Sequence, residues 1–99
     1  MKIDMERARR EEMRWLALFA LNSAQPMGTS EVIIRNALQP VIPDITELDL
    51  RKALDYLEER RLISIERKYV WFAKINNHGI DIVEYSVECH PGIARPKKW

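Results

Sequence analysis

The sequence predicts a single α+β domain, and three observations between Ile45 and Ile82 predict it. Leu50, Ala53, Leu54 and Leu57 recur at i, i+3, i+4 and i+7, which places four apolar side chains on one stripe of a helix of roughly four turns. After Arg61 the period shortens to two. β-Branched and aromatic residues fill Leu62 to Glu66 and Tyr69 to Ile75, with Arg67 and Lys68 between them, as in a hairpin with a basic tip. Asn76 then opens another short helix, roughly Asn77 to Tyr85, with Ile75 before the cap placed to meet Ile80.

In chain order, residues 2 to 12 alternate in charge and read as the solvated first turns of a helix. From Met13 to Leu21 that helix becomes apolar nearly all round. Leu16, Phe19 and Ala20 form one face while Trp15, Leu18 and Leu21 point elsewhere, so it needs two packing partners. One is the core; the other is the C-terminal tail or a second subunit. Pro26 and Gly28 break the helix, and Met27 is expected in a very short first strand. Thr29 is the expected cap of a second helix, with Glu31 near its positive end and Ile33, Ile34, Ala37 and Leu38 as its buried stripe. Pro40 and Pro43 delimit the turn before the third helix, whose start is marked by Thr46 as N-cap, Ile45 as staple to Leu50, and Asp49 as a short capping-box acid. After Tyr85 the helical period disappears. Pro91, Gly92 and Pro96 make the remainder an extended arm ending in Trp99, an apolar anchor expected to dock.

Helix, turn, helix, hairpin and closing helix are the order of a winged helix-turn-helix: a three-helix core, a β-hairpin wing, a C-terminal helix and an extended tail. Residues 1–85 form the expected winged-helix domain and residues 86–99 the basic, proline-containing arm.

Composition narrows the function. A chain of 99 residues, 46% hydrophobic and 31% charged, is an ordinary globular domain with room for one core. No apolar run spans a bilayer and the N-terminus lacks an apolar signal core, so a cytoplasmic location, away from membranes, is expected. Cys89 is the lone cysteine, leaving neither a disulfide nor a zinc ligand set. The Cys89–His90 neighbours in an extended arm point apart, His78 reads as a surface residue of a helix start, and no glycine-rich phosphate loop is present. No enzyme activity, metal or cofactor is therefore expected.

For a winged helix, the third helix and the wing tip are the natural DNA contacts. Arg51 and Lys52 are expected at base edges or phosphates, Tyr56 at a phosphate, and Arg67 and Lys68 at the backbone beside the wing. The helix start argues the other way. Asp44, Glu47 and Asp49 crowd it, and between Thr46 and Arg61 five acids outnumber four bases. The net charge of +1 gives no bulk field, and the tail's Arg95, Lys97 and Lys98 leave the remainder net acidic.

Pro26–Ser30 (PMGTS), Leu48–Ile63 (LDLRKALDYLEERRLI) and Asn77–Glu84 (NHGIDIVE) together resemble the winged helix-turn-helix superfamily, including ArsR-like and PadR-like regulators, over about residues 13–85. Arg61 departs from the glycine that often ends such a third helix, which implies a different cap or mild strain. The run His78–Pro96 (HGIDIVEYSVECHPGIARP) resembles the C-terminus of a small winged-helix protein of Mu-like phages and prophages, generally of unassigned function, sometimes described as a regulator, and encoded near packaging and head genes. The ArsR metal-sensing cysteines have no counterpart. The resemblance implies a DNA-binding regulator or phage DNA-site binder. It also implies a homodimer through the first helix, with Trp15, Leu18 and Phe19 at the interface. The alternative is a packaging or assembly accessory that uses the frame and the arm to bind another phage protein.

Overall fold

The computed structural model describes residues 4–98, which form four helices and a three-stranded antiparallel sheet. The layout is α+β and compatible with a winged-helix arrangement. Lys2, Ile3 and Trp99, which figured in the sequence reading, lie outside the described residues. The order is α1 (Met5–Ser23), β1 (Thr29–Ser30), α2 (Glu31–Leu38), α3 (Glu47–Glu59), β2 (Ile63–Arg67), β3 (Trp71–Ile75) and α4 (Asn77–Val83).

Helix starts follow local chemistry. The Asp4 carboxylate accepts from the Arg7 N–H, and the Ser30 hydroxyl from that of Ile33, so Ser30 rather than Thr29 caps α2. Thr46 and Asp49 form a reciprocal capping box at α3, and Asn76 caps α4 by accepting from the Gly79 N–H. The end of α3 explains Arg61. Its φ of 62° is left-handed, the Arg61 N–H reaches the Glu58 carbonyl at 2.8 Å, and the Leu62 N–H reaches that of Leu57 at 3.0 Å. This is a Schellman motif with arginine at the position glycine usually takes. Tyr85, φ 61°, ends α4 in the same way.

Strand β3 is central, pairing Thr29 with Ala73 on one side and Ile63 with Ile75 on the other. The first strand therefore lies at Thr29–Ser30, two residues beyond Met27, which is exposed. Arg67 pairs with Trp71, so the hairpin tip is Lys68–Val70 and Tyr69 belongs to the tip, 98% exposed. Ala73 and Ile75 face the core while Phe72 and Lys74 face out.

Leu50, Ala53, Leu54 and Leu57 are buried as the periodicity requires. On α1 the sequence left open which face meets the core. Met13, Trp15, Ala17, Leu18 and Leu21 enter the core, while Phe19 is about half exposed, at 51%. On α2, Ile34 and Leu38 are buried but Ile33 and Ala37 are exposed. Trp15 and Leu18 are thereby corrected as dimer-interface residues, because the chain's own core already covers them; of the three, Phe19 alone keeps an open surface.

The second partner of α1 is the arm. The Ala94 N–H donates to the Glu11 carbonyl at 3.1 Å, Arg14 donates to the Gly92 carbonyl at 2.9 Å, and Ile93 is buried against the core. Arg95 donates to the Ile82 and Val87 carbonyls, the Tyr85 hydroxyl to that of Pro96, and the Tyr85 ring meets Trp15 edge-on. Gly92 has no room for a side chain, because a Cβ there would collide with the Tyr56 hydroxyl.

Leu54→Ala leaves a cavity at a fully buried position and is expected to cost about 2–5 kcal/mol in chemical denaturation, with an unchanged denaturant slope. Arg61→Gly removes the left-handed penalty at the cost of some backbone entropy. It is expected to raise stability by about 0.5–1 kcal/mol, read from the same transition.

Candidate nucleic-acid interface

The third helix and the hairpin lie side by side, and ion pairs hold them in one relation. The Arg51 guanidinium donates from Nε and Nη2 to the two Glu31 oxygens, both at 2.7 Å, a bidentate fork. The Glu31 carboxylate, only 4% exposed, also accepts the Trp71 backbone N–H at 2.6 Å. Arg51 reaches the Tyr69 carbonyl and pairs with Glu47 at 3.4 Å. Its guanidinium sits 4.7 Å from the Trp71 ring centre. Arg67 lies at the same distance from that ring, donates to Asp55, and donates to Glu58 at 2.8 Å. The other Glu58 oxygen accepts the Ile65 N–H.

These contacts shift the titrations as charge pairing demands. The Arg51 hydrogen bonds hold the Glu31 carboxyl below the usual carboxylate range against the opposing effect of burial, and the Trp71 N–H adds to them. Arg67 does the same to Glu58, and the Arg67 pKa rises in turn.

The five expected DNA contacts therefore fall into two groups. Arg51, Arg67 and Lys68 stand on the hairpin side, each matched by carboxylate; Lys68 meets Glu66 at 3.0 Å. Arg51 is corrected from a free groove contact to a half-buried brace, and Arg67 from a wing-tip residue to the end of β2. Tyr56 and Lys52 lie toward α1. The Tyr56 ring carries the Arg14 guanidinium at 3.6 Å and that of Arg60 at 3.7 Å from its centre. Its hydroxyl sits against Gly92 of the arm, which corrects its expected outward pose. Lys52 is exposed at the edge of a cleft of about 480 Å³ between the N-terminal half of α1 and α3, together with Arg9, Arg10 and Arg14. In that cleft Arg9 pairs with Asp44 and Asp49.

Sequence reading missed Glu31 as a buried brace and missed Arg10, Arg14 and Arg60 altogether. Arg10 and Arg14, four residues apart on one helix face, were a signal for the second group. Nothing in the local sequence pairs Glu31 with Arg51, twenty residues on.

The arm's thiol has little of a nucleophile's surroundings. Burial pushes the Cys89 pKa up, and its sulfur lies 3.8 Å from the Ile93 carbonyl. Among the described residues no group of three or more His, Cys, Asp or Glu side chains gathers as metal ligands, and no helix is long and apolar enough to cross a membrane. Compared with known proteins, the chain matches no family model, no curated protein and no solved structure.

Glu31 supplies a pH prediction. Its folded-state pKa is depressed, so its stabilising contribution is fully present above the unfolded carboxylate value, about 4.5, and is lost as pH falls through the lower folded value. Glu31→Ala leaves the Trp71 N–H without its acceptor. The variant is expected to lose about 1–3 kcal/mol at neutral pH and to show a flatter acid limb of stability than the wild type, measured by denaturation across the acid range.

Proposed function

We propose that this chain is a phage- or prophage-derived DNA-binding protein, a transcriptional regulator or a binder of a phage DNA site, and not an enzyme. The carrying observation is the placement of α3 beside the hairpin, braced by Glu31–Arg51 and by Glu58–Arg67. In a winged helix-turn-helix that relation lets a helix enter a groove while the wing touches backbone. The phage assignment is supported by the resemblance of His78–Pro96 to the small Mu-like phage protein.

A second reading is favoured by a different surface. Phe19, Ile33 and Val41, each about half exposed, line an uncharged groove of about 430 Å³ between α1 and α2. The outward stripe of α3 offers Leu48, Lys52, Asp55 and Glu59, one base against two acids. An assembly or packaging accessory that docks on another protein uses such a surface. The arm is less suited to that role than expected, because Ile93 is already buried in its own chain.

The salt dependence of binding to duplex DNA tests the first reading. Four phosphate contacts are expected to lower affinity roughly a hundredfold between about 50 and 200 mM salt. Absence of binding at the lower salt overturns the DNA reading in favour of the accessory.

A further inference from the structure

We infer that the phosphate-contacting surface is the edge shared by α1 and α3, where Arg14 and Arg60 flank Tyr56 and Arg10 and Lys52 line the adjoining cleft, and not the hairpin side. This rests on the DNA-binding reading and names the surface that carries it.

Charge matching separates the two sides. On the hairpin side each arginine is already neutralised: Arg51 by Glu31 and Glu47, Arg67 by Asp55 and Glu58. Taking either to a phosphate strands a carboxylate beside the same phosphate, which removes most of the gain. On the α1/α3 edge the carboxylates are engaged elsewhere. Asp44 and Asp49 are both held by Arg9, and Asp49 also accepts the Thr46 N–H. Among the described residues, Arg10 and Lys52 have no carboxylate within ion-pair distance, and Arg14 has only the Gly92 carbonyl. Arg60 has one exposed partner, Glu59, at 3.5 Å. Glu6 is the remaining acid of the cleft.

Two further features suit a polyanion. Arg14 and Arg60 are stacked on one aromatic ring, so their guanidinium planes are held before any ligand arrives and less conformational entropy is lost on binding. Burial lowers the Arg14 pKa; the neighbouring charges of Arg10 and Arg60 lower it further, while Tyr56 and Glu11 oppose them. Lys52 and Arg60 are eight residues apart on α3, about 12 Å along its axis, too far for a single phosphate and well matched to a run of them.

The test is binding of a fluorescent mixed-sequence duplex of about 20 base pairs, read by anisotropy over a salt series, for the wild type, the double variant Arg10→Gln/Lys52→Gln and the hairpin variant Lys68→Gln. All three substituted side chains are exposed, and thermal melts checked by circular dichroism are expected to coincide with the wild type. The double variant is expected to bind about tenfold more weakly at low salt and to lower the salt slope by about 2, while Lys68→Gln changes affinity by less than about threefold. Wild-type-like binding by the double variant with a marked loss in Lys68→Gln overturns the surface assignment and leaves the DNA reading standing. Failure of the wild type itself to bind at low salt overturns both.

Discussion

The buried carboxylate of Glu31 is the constraint on which the arrangement of the sheet and the third helix depends. It stands at the first turn of α2, where the helix dipole favours a negative charge, and receives two N–H groups from Arg51 of α3 and one from the backbone of Trp71 at the start of β3. Three elements distant in sequence thus converge on two oxygen atoms. Burying a charge is unfavourable unless its hydrogen-bonding capacity is filled, and here it is filled by a bidentate fork and an amide. Removing any donor leaves part of that buried charge uncompensated, so the two oxygens tie hairpin, α2 and α3 together. Trp71 completes the brace by lying between Arg51 and Arg67.

That brace also decides the electrostatics. Arginines in a wing and on a third helix read, in a sequence, as groove-seeking. Their partners are visible only once the hairpin folds over α3, which brings Asp55 and Glu58 against Arg67. The acids that outnumber bases in α3 are therefore structural partners as much as obstacles to DNA. Of the cations on the opposite flank of the helix, Arg14 and Arg60 rest on a tyrosine ring.

Much of the scaffold was legible because it is written in short-range chemistry. The Thr46–Asp49 box, the Leu50–Leu57 stripe, the Asn76 cap and the period-two hairpin each occupy a few consecutive residues. Even the anomaly at Arg61 pointed to the right place, since a Schellman end without glycine requires a left-handed side-chain-bearing residue. The faces of α1 were not legible, because an apolar surface nearly all round carries no phase: Leu16 and Phe19 look as suited to a core as Trp15 and Leu18 do. What set the phase was packing against α2, α3, α4 and the arm, all of them distant in sequence; the arm's contacts with Glu11 and Arg14 come from about eighty residues further on. The surroundings of the basic residues were not legible for the same reason: residue type was readable, ion-pair partner was not.

The clasp between the arm and α1 makes the arm a part of the folded body that a protease can remove only at the core's expense. Ile93 of the arm is buried in the same core cluster as Met13 and Trp15, and the Tyr85 ring meets that of Trp15 edge-on. Cutting the arm away uncovers apolar surface of that cluster, so a proteolytically trimmed chain is expected to be both less stable and stickier than the intact one.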